Sequence, residues 1–153
     1  MEKLLSKRPS GSIIGLRVNP QVGTGTIAES STAGEYSKFG VPVRSRRTEI
    51  LEAFNRHPWL TGLHLHVGSQ GCTPELLAEG VKVVCGVMQD TGCRLPAGKA
   101  GMQDAACLPA RQGCRIRQVD IGGGFPITYD YGVVPPRIEE YAAALKSLCP
   151  SLF

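Results

Sequence analysis

Three strand-like runs in this chain each stop at a turn of small or polar residues, and segments of helical period lie between and after them. Residues 12–18 (SIIGLRV) are apolar and β-branched and end at Asn19-Pro20. Residues 60–67 (LTGLHLHV) alternate and end at Gly68-Ser69, and residues 115–121 (RIRQVDI) run into three glycines. The first helical segment, RTEILEAFNRH (47–57), carries Ile50, Leu51 and Phe54 at helical spacing and is stopped by Pro58. The second, TPELLAEGVKVVCGVMQ (73–89), opens with Thr73 as a cap and Pro74 at the first helical position, and places Leu76, Leu77, Val81, Val84 and Met88 on one side. A third helix is expected over 136–148 (PRIEEYAAALKSL). Strands that alternate with helices of this size pair in parallel through βαβ crossovers, so the expected class is α/β.

Two of the three histidines sit in LHLHVGSQG (63–71). The period of two puts His64 and His66 on one face of their strand. Such imidazoles can be hydrogen-bonded structural groups or a metal pair. The remaining histidine, His57, precedes Pro58 in an expected loop, which leaves no third ligand, and no metal is expected. The turns that end the second and third strands lie at the C-terminal edge of a parallel sheet, where such folds bind ligands. GSQG (68–71) offers the Ser69 hydroxyl, and GGGF (122–125) offers backbone with no side chain in front of it. Successive N–H groups in such turns suit an anion such as phosphate, although tight turns also use glycine for backbone reasons alone. The dinucleotide fingerprint is excluded, because its third glycine would fall on Ile127.

The formal charge of +4 is spread along the chain, and its one basic cluster, RSRR at 44–47, has no interleaved aromatics. It reads as a solvated helix start, so no nucleic-acid partner is expected. The opening MEKLLSKRPSGS lacks the apolar stretch of a signal peptide, and no run reaches the length of a membrane span. A cytoplasmic location with no membrane partner is expected, unless an organellar targeting segment precedes this sequence. The six cysteines, at 72, 85, 93, 107, 114 and 149, show no Cys-x-x-Cys spacing and are expected to be free thiols. Residues 91–114, rich in Ala, Gly, Pro and Cys with no apolar period, read as an insertion or disordered loop, since connections between such elements usually take only a few residues.

Four strings in this order, GLRVNP (15–20), YSKFGV (36–41), GLHLHVGSQG (62–71) and VDIGGGFP (119–126), resemble the pyridoxal-phosphate-dependent decarboxylases of the ornithine, diaminopimelate and arginine type. The resemblance covers about residues 11–92 and 115–148 and leans toward the diaminopimelate branch through GSQ and RVNP. It implies an alanine-racemase-like (β/α)8 barrel, of which residues 1–153 would form a partial pyridoxal-phosphate-binding domain. It further implies pyridoxal 5'-phosphate as cofactor, a small amino acid as substrate and, for full-length members, a homodimer. Carried over residue by residue, His66 would lie flat against the pyridine ring as the catalytic imidazole, and Ser69 would help hold the phosphate. Gly122, Gly123 and Gly124 would form the phosphate turn. Arg17 matches a family arginine at the cofactor end of its strand, and pairing with a carboxylate such as Asp120 is the alternative. His64 would support its neighbour, and Lys38 of SKFG would be structural or close to substrate.

The sequence also departs from that family. Its members hold the cofactor as a Schiff base on a lysine of an early barrel strand, which would precede the matched region, and Lys3 and Lys7 lie in no apolar run. The Glu-Pro-Gly-Arg segment and the C-terminal β domain have no counterpart here. A whole barrel takes about 250 residues, so this chain would supply three or four of eight βα units. The expectation is therefore a fragment of a pyridoxal-phosphate-dependent decarboxylase, inactive as this chain alone. A non-catalytic homologue or remnant that binds phosphate or a full-length partner is the alternative.

Overall fold

The computed structural model describes residues 11–23, 32–68, 72–92, 116–127, 132 and 134–153. Its elements are strand β1 (Ile14–Asn19), strand β2 (Val41–Pro42), helix α1 (Val43–Arg56), strand β3 (Leu60–His64), helix α2 (Pro74–Asp90), strand β4 (Gln118–Asp120) and helix α3 (Ile138–Leu148), with a 3-10 turn at Pro150–Leu152. The strands form one sheet in the order β2-β1-β3-β4, and every neighbouring pair is parallel. The α/β class and the parallel pairing expected from the alternation of periods are both present.

Strand alternation sorts side chains onto two faces. Val18, Leu63, Leu65 and Val67 are buried, and they pack with Ile50 and Phe54 of α1 and Leu77, Val81, Val84 and Met88 of α2. Each such side chain, fully removed from water, contributes about 1.5–3 kcal/mol relative to an exposed one. His64 and His66 fall on the opposite face from Leu63, Leu65 and Val67, and both are half-buried.

The register fixes what shares that second face. Arg17 pairs with His64, and His64 pairs with Asp120, so these three residues form a row across β1, β3 and β4.

Helix α2 starts as its sequence indicates. The Thr73 side chain accepts a hydrogen bond from the Leu76 N–H at 3.2 Å, and Pro74 occupies the first position, where its missing N–H leaves nothing unsatisfied. Helix α1 differs from expectation, beginning at Val43 instead of Arg47, with a kink at Arg46 (φ −126°, ψ 26°). Its early start is supported from outside the helix, because the Gln21 Oε1 accepts from the Arg44 N–H at 3.0 Å. Arg44 and Arg46 are exposed as expected, while Arg47 reaches Asp90 at 2.7 Å and ties α1 to the end of α2.

Two strands are shorter than the runs expected for them. β3 ends at His64, and beyond it the Leu65 N–H donates to the Asp120 carbonyl at 3.0 Å before the chain turns away. β4 spans only three residues, because Gly122 (φ +75°) bends the backbone out of the ladder. β2 was not anticipated. It is two residues long and ends in Pro42, which has no N–H to extend a ladder. Cys72, Cys85 and Cys149 are buried free thiols. Burial raises all three, and Cys85, hydrogen-bonded to the Cys149 thiol, is pushed up to about 12. Cys93, Cys107, Cys114 and nearly all of the 91–114 segment lie outside the described residues.

Candidate functional site

Because all four strands run the same way, their C-terminal ends share one edge. There β1 delivers Asn19, β3 runs on to His66, and β4 runs on to Gly122–Gly124. Backbone and polar side chains hold each piece. Buried Asn19 donates through Nδ2 to the Gly34 carbonyl at 2.9 Å, while its Oδ1 accepts from the Gln21 N–H at 2.9 Å. The Thr32 hydroxyl donates to the His66 carbonyl, and the Thr32 N–H donates to the Val67 carbonyl at 3.2 Å. The histidine segment is thus fixed on one side by the loop after β1.

On its other side it is fixed by the glycine turn. Asp120 Oδ1 accepts from the Gly122 N–H at 2.8 Å, and the Gly123 N–H donates to His66 Nδ1 at 3.2 Å. Gly122 must be glycine here. Its φ of +75° strains any residue with a Cβ, and a Cβ would lie 3.0 Å from His66 Nδ1, 3.1 Å from His66 Cα and closer still to the Leu65 carbonyl oxygen. Gly124 also has positive φ, +88°. Gly123 is different, since a Cβ there would meet nothing within 4 Å, so its face of the turn is open.

The turn expected to present three free donors instead commits those of Gly122 and Gly123 to Asp120 and His66. The bond to Nδ1 requires that nitrogen to be an acceptor, which leaves the neutral ring's proton on Nε2. Burial first, then the Arg17 guanidinium and His64, hold the His66 imidazole below its ordinary pKa, with Asp120 pulling the other way.

Arg17 is positioned by an aromatic ring. Its guanidinium carbon lies 5.0 Å from the Phe39 ring centroid, and Lys38 Nζ lies 5.2 Å from the same centroid. No Arg17–Asp120 ion pair is found among the described residues, and Asp120 turns to Gly122. His64 sits in the row between Arg17 and Asp120, one step in from His66. His57 caps the end of α1 and stacks on Trp59, with ring centroids 4.9 Å apart. Among the described residues no three His, Cys, Asp or Glu side chains are placed to hold a metal. Ser69 lies outside the described residues.

The structure brings His66 and Gly122–Gly124 together at this edge and places Arg17 one row in, level with His64. Sequence reasoning missed Thr32, Phe39 and the use of Asp120 as a backbone acceptor. A threonine hydroxyl bonded to a carbonyl 34 positions away leaves no local signal. Phe39 had one, the apolar residue in an otherwise polar SKFG string.

Residues 1–97 match the model of the pyridoxal-dependent decarboxylases, pyridoxal-binding domain. Diaminopimelate decarboxylase of Methanothermobacter thermautotrophicus is 30% identical over 140 residues, covering 92% of this chain and 29% of that protein. Arginine decarboxylase 1 of Oryza sativa subsp. japonica is 33% identical over 124 residues, covering 75% of this chain and 15% of that protein. The crystal structure of diaminopimelate decarboxylase from Helicobacter pylori complexed with L-lysine aligns with 97% of this chain and 32% of its own, with a TM-score of 0.65 at 21% identity. The fold is thus that of part of an alanine-racemase-like barrel. The chain spans less than a third of the length of each of these relatives. The chain belongs to the pyridoxal-dependent decarboxylases, through the pyridoxal-binding domain of that family.

Proposed function

We propose that this chain forms the His66 side of a pyridoxal-phosphate site in an amino-acid decarboxylase of the diaminopimelate, ornithine or arginine type, with diaminopimelate the favoured substrate. One observation carries the reading, the bond from the Gly123 N–H to His66 Nδ1, which brings the glycine turn and the imidazole to one sheet edge. Membership of the family's pyridoxal-binding domain supports the same cofactor.

The residues present fit the group. The open face at Gly123 leaves room for a phosphate that a side chain would fill, and Arg17 lies close enough to act on His66 and adds positive charge. His66, held by Gly123 and by Thr32 through its own carbonyl, presents a ring of fixed plane against which a pyridine ring can stack. Bound pyridoxal phosphate supplies an acceptor for the electron pair released as carbon dioxide leaves. The chain's own residues bind and orient it: the turn and Ser69 at the phosphate, Arg17 as the neighbouring cation, and His66 on the ring. Of the described lysines, Lys82 pairs with Glu79 and Lys146 lies over Phe153. On this reading the active unit is a homodimer in the cytoplasm. Among the described residues no helix is long and apolar enough to cross a membrane.

The test is to add pyridoxine 5'-phosphate, which has no aldehyde to modify surface lysines, to the 15N-labelled chain. Shifts concentrated at Gly122–Gly124, His66 and Arg17 are expected. Shifts confined to the outer groove lined by Arg44, Arg47 and Lys82 would overturn the proposal.

A further inference from the structure

We infer that Asp120 is a positioning residue for His66, acting through the Gly122–Gly123 backbone to orient the imidazole and fix its proton on Nε2. The inference rests on the proposed role of His66, but its test does not require the cofactor.

Three observations converge. Asp120 Oδ1 accepts from the Gly122 N–H at 2.8 Å, closing a turn over two residues. The next N–H, that of Gly123, points at His66 Nδ1 at 3.2 Å. The Asp120 carbonyl in turn accepts from the Leu65 N–H at 3.0 Å, so one residue grips both the turn and the segment that carries His66. Gly123 has no side chain to anchor it and nothing beside its Cβ position, so the aim of its N–H depends on the turn that precedes it. Freed from that turn, Nδ1 would compete with Nε2 for the proton, and a ring with either nitrogen protonated presents a different face and edge to a cofactor.

The carboxylate's position matters here, and its charge does not. Asparagine keeps an oxygen at the same distance from the backbone, whereas glutamate keeps the charge but places it one methylene too far. The full 153-residue chain, 15N-labelled and cofactor-free, is compared as wild type, Asp120→Asn, Asp120→Glu and Asp120→Ala at a pH where His66 is neutral. Two readouts are followed, the His66 ring nitrogen shifts and the hydrogen-exchange rate of the Gly123 amide, with the Leu63 amide of β3 reporting that the fold is intact. Wild type and Asp120→Asn should show Nδ1 as the bare nitrogen and a protected Gly123 amide. Asp120→Glu and Asp120→Ala should show the proton shared between both nitrogens and Gly123 exchanging about tenfold faster or more, the factor for one hydrogen bond of about 1.4 kcal/mol. Should Asp120→Ala lose Leu63 protection, the Asn and Glu variants decide the matter between them. Wild-type behaviour in Asp120→Glu, or loss in Asp120→Asn equal to that in Asp120→Glu, overturns the inference. Failure to bind pyridoxine 5'-phosphate would instead overturn the proposed function and leave these signals unchanged.

Discussion

The backbone N–H of Gly123 donates to the His66 Nδ1 at 3.2 Å across 57 positions of sequence. The two glycines at this junction have opposite requirements, although their side chains are identical. Gly122→Ala should cost more than about 2 kcal/mol, because a left-handed residue with a Cβ is strained by about 1–2 kcal/mol and the methyl also meets His66 and Leu65. Gly123→Ala should cost less than about 1 kcal/mol, since its methyl enters open space. Urea unfolding of the two variants checks this, and equal losses would contradict the described turn.

His66 and His64 share a face but should differ in consequence. His66→Ala is expected to weaken pyridoxine 5'-phosphate binding at least tenfold, because the ring beside the glycine turn is removed. His64→Ala, one row in between Arg17 and Asp120, should change affinity less than threefold and act mainly on stability. Matched titrations of both variants decide the point, and equal losses of affinity would remove the basis for choosing His66.

The depressed pKa of His66 makes stability depend on pH in a definite direction. In the unfolded chain the imidazole titrates near its ordinary value of about 6.5, while in the folded chain burial and Arg17 hold it lower. Between those two values the unfolded state binds more protons, so acidification favours unfolding. The contribution is whole above about pH 6.5, is lost as pH falls toward the folded value, and changes no further below it. Denaturation midpoints of the wild type should therefore fall between pH 7.5 and pH 5 by more than those of His66→Phe. Parallel pH profiles would show that His66 is not depressed. The effect should be small, because the ring is only half-buried.

Helix α2 terminates on its own bonds. The Thr91 hydroxyl donates to the Met88 carbonyl at 2.7 Å, and Gly92, with φ +79°, donates to the Gln89 carbonyl at 3.0 Å. Its end needs nothing from the segment that follows. If residues 93–113 are the insertion their composition suggests, deleting them should leave the melting temperature unchanged or higher, since each halving of such a connection lowers closure entropy by about 0.6 kcal/mol. A large fall in melting temperature would mean that the segment packs on the sheet.

Local pattern carried most of this fold. The cap and proline of α2 act within a few residues, and that helix formed where its signals lie, whereas the alternation of LHLHV (63–67) marked a strand that ends at His64. Strand ends were less legible, because β3 stops where β4 runs out of partners, and that depends on a turn more than 50 residues away. β2 was invisible, since two residues carry no period. At the site, His66 and the glycines stood out as a motif. Thr32 did not, and although Phe39 and Asp120 lie in motif strings their partners were hidden, because a remote carbonyl, a neighbouring cation and a backbone N–H are contacts that only the folded chain brings together.

The measurement that bears most directly on the central claim is the affinity of the chain for pyridoxine 5'-phosphate against pyridoxine, in the wild type and in Gly123→Val. Filling the open face of the turn should block the phosphate while leaving His66 in place. Saturable binding of the phosphate form is expected, at least tenfold tighter than that of pyridoxine, with the difference abolished in a folded Gly123→Val chain. Equal affinity for both compounds in the wild type, or an undiminished phosphate preference in Gly123→Val, would contradict the assignment of this sheet edge to the cofactor.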